Sequence, residues 1–451
     1  MNTKYFYWIA IAVLIIGCEP KEEDANVKLM TLDPGHFHAA LIQKTSYQDI
    51  DSTVDVYAPD GPEVKDFLSK IQGYNNRAEN PTNWTVNTHL SEDYLEKMIT
   101  EKPGNVMVVS GKNSKKIDYV LAAVNAGLNV YADKPLVVNQ EGFEKLKKVF
   151  EIAKEKNLLV YDIMTERFEV TTGIQKALSM KSEVFGMLLD GTPSEPSISK
   201  ESVHHLSKIV SGKPLVRPAW FLDTNQQGEG IVDVTTHLVD LVQWEAFPGQ
   251  IIDQSDIKII SCKRWTTSLA PDQFKNITGL ANYPEYLEKD VKSDTLNIYC
   301  NGEINYTIKG KHAKVSVIWN YKAPEGTGDT HHSIMRGSRS DLIIKQGDAE
   351  NYKPTLYVVS KGGENFESNL NNALESIQGE YPGIEANKIS DSKWKILIPE
   401  VLKIGHEAHF SQVTDNFLKY YKDGQLPAWE VPNMITKYYT TTQAYKKALK
   451  K

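Results

Sequence analysis

The chain has 451 residues, a formal net charge of -7 at pH 7, 41% hydrophobic residues and 24% charged residues. A chain of this length buries a sizeable core and divides into two or three domains. The acidic balance, together with the lack of a strongly basic block, excludes a general nucleic-acid binder. We therefore expect small molecules or neutral polymers as partners.

The first residues, "MNTKYFYWIAIAVLIIGCEP", contain an apolar run from Phe6 to Ile16 that is too short to span a bilayer. "IIGC" resembles a bacterial lipobox, which predicts a signal peptide over residues 1–17 and a lipid on Cys18. An ordinary secretory signal is the alternative. Residues 18–26 form a charged tether that resembles the export tag of some Bacteroidetes lipoproteins. These features predict an outer-membrane protein of the cell envelope that contacts the membrane only through its lipid.

From residue 27 to residue 167, apolar strand runs alternate with helical segments. The strand runs are "VKLMTL", "VDVYAP", "NVMVVSG", "LNVYADKP" and "LLVYDIM", and stretches such as "EVKDFLSKI" and "EGFEKLKKVFEIAKEK" lie between them. Short connections between alternating strands and helices imply parallel strands with right-handed crossovers. The pattern predicts a doubly wound α/β dinucleotide-binding (Rossmann) domain whose ligand site lies beyond the carboxyl ends of the strands.

Residues 168–451 have a different pattern and form a predicted second domain. Turns rich in Gly, Asn and Asp separate the alternating runs "DTLNIYCNG", "EINYTIKG", "KVSVIWNY", "SDLIIKQG" and "PTLYVVS". This alternation is typical of a largely antiparallel sheet. Helical spacing returns from about Trp394 to the end of the sequence, so the second domain is predicted to be α+β.

Cysteine usage excludes a disulfide framework, because only Cys262 and Cys300 follow Cys18. In an oxidising envelope compartment these two residues can form one bridge. As buried strand residues they can equally stay unpaired, and the sequence leaves both states open.

The loop after the first strand, "LDPGHFHAAL", stands where a dinucleotide-binding protein carries G-x-G-x-x-G. Only Gly35 is present, and His38 takes the place of the packing glycine. One glycine lets backbone amides approach a pyrophosphate at the start of a helix, so Gly35, His36 and Phe37 are candidate cofactor residues. Asp60, which follows the second strand, is the candidate acid for the adenosine ribose. The alternative is that it serves only the Pro-Asp-Gly turn.

"GEGIVDVTTHLVDLVQW", residues 228–244, predicts an amphipathic helix. On its polar side, Asp233, His237, Asp240 and Trp244 fall within an arc of roughly 60°. A solvated face of this length usually carries Lys or Glu and rarely Trp. The stripe therefore predicts a helix that lines a polar cleft, with a solvated face as the alternative. We assign Asp240 a structural role.

The strand run "AGLNVYADKPLVV" ends in Asp133, Lys134 and Pro135, which places a lysine at the ligand-binding edge of the sheet. It resembles the strand ending in Glu-Lys-Pro of the Gfo/Idh/MocA family, which includes glucose–fructose oxidoreductase and inositol dehydrogenase. "GEGIVDVTTH" is similar to the Gly-Gly-x-x-x-Asp-x-x-x-His segment of that family. "YDIMTERF" and "HFSQVTDNFLKYYKDGQLPAW" resemble two further family segments. The resemblance covers most of residues 27–451, with Asp133 and the reduced glycine motif as departures.

The resemblance implies a nicotinamide-dependent oxidoreductase that acts on a secondary hydroxyl of a sugar or glycoside, and we also expect a homo-oligomer. It implies that His237 acts as the base, with Asp233 one turn earlier bonded to its imidazole, and that Lys134 stabilises the developing alkoxide. We expect NAD rather than NADP, because "PDGPE" supplies no arginine for a 2′-phosphate. The expected cofactor residues are Gly35, His36, Phe37, Asp60, Ser110, Lys134 and Arg167.

We predict no metal site, because His406 and His409 in "GHEAHF" lack the H-E-x-x-H spacing. Two other functions stay open. One is a glycosidase that uses NAD transiently, through oxidation, elimination and return of the hydride. The other is a sugar-binding protein without cofactor, which the presence of Lys134, Asp233 and His237 disfavours.

Overall fold

The computed structural model describes residues 27–210 and 213–450. The predicted signal peptide, the lipid-bearing Cys18 and the tether lie outside the described residues. Within the described ranges, no helix combines the length and the apolar character needed to cross a membrane.

In the first part of the described chain, six parallel strands form one sheet with the order β3-β2-β1-β4-β5-β6. This arrangement confirms the predicted doubly wound α/β fold. The strands are β1 (Leu29–Leu32), β2 (Thr53–Ala58), β3 (Thr85–Leu90), β4 (Val106–Val109), β5 (Asn129–Asp133) and β6 (Val160–Ile163). The helices between them are α1 (His38–Leu41), α2 (Pro62–Asn76), α3 (Tyr94–Glu101), α4 (Asn113–Asn125) and α5 (Gln140–Glu155).

The edge strand β3 and the helix α3 were not predicted from the sequence. The segment of β3, "TVNTHL", is exposed or half-exposed along its whole length because it pairs only with β2. An edge strand of this kind carries polar side chains and lacks the apolar run that marks a buried parallel strand.

The second part contains a ten-stranded, mostly antiparallel sheet with the order β10-β12-β13-β7-β14-β15-β16-β18-β17, to which β11 adds beside β12. The pair β13 and β7 is parallel. The strands are β7 (Ile198–Ser207), β8 (Ile209–Val210), β9 (Lys213–Pro214), β10 (Ile257–Leu269), β11 (Val291–Lys292), β12 (Thr295–Ile308), β13 (Lys311–Lys322), β14 (Thr330–Arg336), β15 (Ser340–Lys345), β16 (Thr355–Ser360), β17 (Glu385–Ser390) and β18 (Lys393–Leu397). The strands β8 and β9 pair separately.

The helices of this part are α6 (Val170–Ser179), α7 (Thr224–Gln227), α8 (Thr235–Ala246), α9 (Pro271–Thr278), α10 (Phe366–Glu375), α11 (His406–Asp423) and α12 (Glu430–Ala448). Short 3-10 turns span Thr165–Phe168, Ala219–Leu222, Gln254–Asp256, Glu285–Asp290, Asp348–Glu350 and Glu400–Leu402.

The turn predicted at Gly302, between "DTLNIYCNG" and "EINYTIKG", does not form, because β12 continues through it while pairing with β10 and β13. The glycine instead allows a close approach to Ile231, since a Cβ at Gly302 would lie 2.6 Å from the Ile231 Cα. A glycine inside a strand often marks such a contact with another backbone segment.

The two last helices return to the parallel sheet. Phe410 and Phe417 of α11 lie in the same hydrophobic cluster as Val54 and Val56 of β2. Tyr438 of α12 belongs to the cluster on the other face of that sheet. Residues far beyond 167 therefore complete the core of the first domain.

A buried group of charged residues, called here the ion cluster, joins the end of β6 to α8 and α12. The Arg167 guanidinium donates to both Asp240 oxygens at 2.7 Å and to both Glu430 oxygens at 2.9 Å. The Lys437 Nζ lies 2.8 Å from Asp162 and 2.9 Å from Asp240. Burial alone would raise the pKa of Asp240, but Arg167 and Lys437 outweigh it and hold the pKa below its usual value.

We predict that Asp240→Ala lowers the free energy of unfolding by about 3–5 kcal/mol, because it removes a buried carboxylate shared by Arg167 and Lys437 and leaves part of their charge uncompensated. Denaturant unfolding measures this change. Asp60→Ala is the control, since the exposed Asp60 carboxylate pairs with Lys65 at 2.9 Å and such a pair contributes at most about 1 kcal/mol. Equal stability losses in the two variants would contradict the assignment.

Candidate active site

A cleft opens at the carboxyl ends of β1, β2 and β4, where the strand order reverses between β1 and β4. It contains about 350 Å³ of empty space, part of which is open to solvent. Its lining residues are Asp33, Pro34, Gly35, Ala58, Pro59, Glu63, Val64 and Lys112. Open α/β sheets bind ligands at such a switch point.

Among the predicted cofactor residues, Gly35 lines this cleft and Asp60 does not. Asp60 is exposed and pairs with Lys65 at the surface. Glu63, in the first turn of α2, lines the cleft instead and accepts a hydrogen bond of 3.2 Å from the Trp220 Nε1. The sequence signal for Glu63 is a carboxylate in the first turn of the helix that follows β2.

Two predicted catalytic residues meet where the two domains join. Lys134 follows directly after β5, and its Nζ donates to the Asp233 Oδ1 at 2.8 Å. The other Asp233 oxygen accepts from the Gln227 Nε2 at 3.0 Å. Both charged side chains are largely buried, with 11% of Lys134 and 7% of Asp233 exposed. This pair holds the Lys134 ammonium in one position.

The predicted hydrogen bond between Asp233 and His237 is not formed. Asp233 precedes α8, which begins at Thr235, so the two residues are not one regular helical turn apart, and Asp233 binds Lys134 and Gln227 instead. The His237 Nδ1 is buried and has no hydrogen-bond partner among the described residues. Burial, helped by the charge of Lys134, holds the pKa of His237 well below its usual value, so the imidazole is neutral at pH 7.

The residues of the polar stripe contact different partners, so the stripe does not line one open cleft along its whole length. Asp240 belongs to the ion cluster, as the structural role assigned to it requires. The Trp244 ring lies 3.6 Å from the Lys176 Nζ, measured to the ring centroid. Only the part of the stripe around Asp233 and His237 is close to Lys134.

Two glycines place the segment that leads into α8. Gly228 has a φ of 90°, in the region that favours glycine. Gly230 packs against β12 so closely that a Cβ would lie 1.8 Å from the Cys300 carbonyl oxygen. Any larger residue at position 230 would displace the segment that carries Asp233.

Lys116 holds the backbone at the end of β5 in place. Its role was not predicted from the sequence. Its fully buried Nζ donates to the Asp133 carbonyl oxygen at 2.7 Å, to the Lys134 carbonyl oxygen at 3.3 Å and to the Asn113 Oδ1 at 2.8 Å. Burial lowers the pKa of Lys116 to about 8. The sequence offers no signal for this role, since "SKK" is typical of a solvated helix.

The Asp133 carboxylate contacts polar groups from two segments, the loop after β1 and the residue after β4. Its Oδ2 accepts from the Ser110 Oγ at 2.9 Å and lies 3.0 Å from the His38 Nδ1 and 3.5 Å from the His36 Nδ1. Burial would raise the pKa of Asp133, but the contacts with His38 and His36 outweigh it and hold the pKa well below its usual value. Burial lowers the pKa of His38 to about 3 despite the carboxylate.

The remaining predicted cofactor residues are already engaged by other groups. Ser110 is fully buried and points to Asp133. Phe37 packs on the hydrophobic cluster beside α1. Arg167 belongs to the ion cluster, where its guanidinium makes four hydrogen bonds and its side chain is 8% exposed. We therefore correct the prediction that Arg167 is a cofactor residue. Its guanidinium joins the end of β6 to α8.

Aromatic side chains of the second domain face this edge of the sheet. The Phe221 ring is stacked with the His36 ring at 6.5 Å between centroids and contacts the Trp319 ring at 5.9 Å. The Trp319 ring stacks on His204 at 4.8 Å, and the His204 Nδ1 lies 3.0 Å from the Asp329 Oδ2. These residues form a wall of aromatic and charged groups, called here the aromatic wall.

Glu166 is a further ionisable residue of the site that was not predicted from the sequence. It lies on the 3-10 turn after β6, 36% exposed, and its Oε1 is 3.8 Å from the His406 Nε2. Burial and the neighbouring Glu169 raise its pKa to about 7, although the charges of His204 and Lys134 act in the opposite direction. A carboxyl group that titrates near neutrality is therefore present beside the aromatic wall.

Comparison with known proteins identifies the family. Residues 174–449 match the family described as "Putative oxidoreductase C terminal domain". The crystal structure of a "putative oxidoreductase" from Parabacteroides merdae is 56% identical, has a TM-score of 0.92, and matches over 94% of this chain and 98% of that chain. Comparison with curated protein sequences gave no match.

More distant structures share the fold. A levoglucosan dehydrogenase in complex with NADH and levoglucosan is 12% identical with a TM-score of 0.60, over 94% of this chain and 98% of that chain. A 3-ketoreductase from Actinomadura kijaniata in complex with NADP is 11% identical with a TM-score of 0.57, over 93% of this chain and 97% of that chain. The chain belongs to the oxidoreductase family whose C-terminal domain matches residues 174–449, and it is a Gfo/Idh/MocA-like oxidoreductase.

Proposed function

We propose that the protein is a nicotinamide-dependent oxidoreductase that transfers hydride between a secondary hydroxyl of a sugar or glycoside and a tightly bound NAD. One observation carries the proposal: the Lys134–Asp233 pair lies beside a neutral His237 at the carboxyl end of β5. The complexes of distant relatives with NADH and levoglucosan, or with NADP, support the cofactor class and the sugar-like substrate.

We assign the cleft at the strand ends to the adenosine half of a dinucleotide, on the position and chemistry of its lining residues. Gly35 lies in the loop after β1 and Lys112 directly before α4, so an ammonium group is available at this cleft for a pyrophosphate. Glu63 replaces Asp60 as the candidate acid for the ribose diol, because it lines the cleft. A carboxylate at this place repels a 2′-phosphate, which supports NAD over NADP.

The aromatic wall supports a sugar-like substrate. Ligand pockets combine apolar and aromatic surfaces with a few polar groups that fix orientation. The Phe221 ring contacts Trp319 and reaches His36 at the strand ends, so aromatic groups border the site. Glu166, whose side chain is 36% exposed beside this wall, supplies a carboxyl group for the hydroxyls of a sugar.

The chain's own residues move the proton of the reacting hydroxyl. When bound, the nicotinamide supplies the hydride acceptor for oxidation and the hydride donor for reduction. The neutral His237 accepts the hydroxyl proton during oxidation and returns it during reduction. The Lys134 ammonium, fixed by Asp233, donates a hydrogen bond to the same oxygen and stabilises its developing negative charge.

We predict that His237→Ala and Lys134→Ala each lower the turnover number by about 100-fold or more, as general acid–base groups typically contribute. The amount of bound nucleotide should stay nearly unchanged. A panel of glycosides, followed through the nicotinamide absorbance, provides the measurement. Lys145→Ala is the control, because Lys145 lies on the surface and pairs with Asp118 at 2.7 Å. Wild-type turnover in either site variant would remove the proposed chemistry from this cleft.

We predict that the pH profile of kcat/KM for oxidation has an acid limb below pH 6.5, because the lowered pKa keeps His237 in its proton-accepting form down to that range. The charge of Lys134 contributes to this lowering, so Lys134→Met should move the limb upward. His237→Gln should abolish the limb. A limb above pH 6.5 that persists in His237→Gln would show that another group is the base.

We predict that the purified protein retains its cofactor through desalting and turns over without added NAD. We expect this retention because the protein is proposed to be an exported lipoprotein. Outside the cytoplasm, no redox pool is expected to re-oxidise the cofactor. Heat denaturation followed by chromatography should release NAD. Glu63→Gln should reduce this retention and Asp60→Asn should not.

Several results of this experiment would overturn the proposal in part. A strict requirement for freely exchanging NAD would contradict tight binding, and release of NADP would contradict the choice of cofactor. Release of free sugar from a glycoside without net NADH would indicate the redox-neutral glycosidase. A protein that binds sugars but neither holds nor takes up nucleotide would be a sugar-binding protein on the same fold.

A further inference from the structure

We propose that His36, His38 and Asp133 form a binding site for one divalent transition-metal ion. Among the described residues, these three bring one ligand atom each to within 4.8 Å of one another. Two imidazoles and one carboxylate are a ligand set that first-row divalent metals occupy in proteins. The proposal does not depend on the proposed function, because it concerns the affinity of the site for an ion.

The spacing of the ligand atoms fits an ion between them. Ligands about 2.1 Å from a metal lie about 3.0 Å apart at octahedral angles and about 3.4 Å apart at tetrahedral angles. The Asp133 Oδ2 lies 3.0 Å from the His38 Nδ1 and 3.5 Å from the His36 Nδ1. Both distances to the Asp133 oxygen therefore suit coordination of one ion, and the His36 and His38 ligand atoms lie within 4.8 Å of each other.

The hydrogen bonds around the three residues leave a place for a cation. Ser110 donates to the Asp133 Oδ2 at 2.9 Å, which leaves one lone pair of that oxygen for two imidazoles. The His36 Nδ1 also accepts a long contact of 3.4 Å from the backbone N–H of His38, which an ion bound to this nitrogen would replace. An ion bound to the Asp133 Oδ2 and to both Nδ1 atoms would give all three atoms one shared partner.

The surroundings hold the ligands in place and leave a route for the ion. Lys116 fixes the backbone of Asp133, and nearby Lys134 is neutralised by Asp233. The His36 and His38 side chains are 19% and 12% exposed, so the group is not sealed from solvent. Three protein ligands leave further coordination positions for water or for an oxygen atom of a bound molecule.

Metal binding can be tested on the purified full chain after removal of metals with a chelator. Calorimetric titration with Zn²⁺ should give one site per chain, and Co²⁺ should give the absorption bands of nitrogen- and oxygen-ligated cobalt. We expect Zn²⁺ binding to weaken by more than about 100-fold in the double variant His36→Gln/His38→Gln and in the single variant Asp133→Asn. This loss exceeds the one usually seen when a residue that only hydrogen-bonds to a metal ligand is removed. Circular dichroism and thermal unfolding without metal show whether each variant is folded.

His89→Gln is the matched control, because His89 forms a pair with Asp55 at 2.8 Å elsewhere on the sheet. Its Zn²⁺ affinity should equal that of the wild type. Equal one-site binding in wild type and the folded double-histidine variant would overturn the proposal and indicate an adventitious ion only. Absence of Zn²⁺ binding by the wild type would overturn it as well. The bound nucleotide, measured in parallel, separates this result from failure of the proposed function.

Discussion

The ion cluster fixes α8 against the end of the parallel sheet, and the rest of the site depends on that contact. Arg167 and Lys437 bind Asp240 from two different segments, and Glu430 and Asp162 complete the charges. Buried charges can fix a helix in this way only when each charge has a partner, because an unpaired buried charge strongly destabilises the folded state. The cluster therefore permits one position of α8, and that position brings His237 to the domain junction.

Burial sets the protonation states at that junction. The imidazoles of His237 and His38 stay neutral because the buried environment disfavours a second proton. Lys134 keeps its place through Asp233. The Lys134 ammonium, the neutral His237 imidazole and the Asp233 carboxylate thus occupy a small region. This combination can accept a proton and stabilise a developing negative charge on the same substrate oxygen.

Several parts of the molecule could be predicted because they follow from local patterns. Buried parallel strands appear as continuous apolar runs, so the sheet and its ligand-binding edge were visible. Lys134 and Gly35 were found from their places after a strand, and Asp233 was found from the polar stripe of a predicted helix and from the family resemblance. The edge strand β3 was missed because it is polar. The turn expected at Gly302 was wrong because pairing on both sides overrides the local preference of glycine.

The sequence by itself determined the two-part α/β and α+β architecture, the lysine at the end of β5 and the segment that carries Asp233 and His237. Only the tertiary structure decided which groups these residues bind. Arg167 pairs with Asp240 and Glu430, and Asp233 pairs with Lys134 instead of His237. Periodicity reports which residues share a face of one element, whereas side-chain partners come from segments up to hundreds of residues away. His36 and His38 meet Asp133 for the same reason. They follow β1, Asp133 ends β5, and the carboxyl ends of parallel strands lie at the same edge of the sheet.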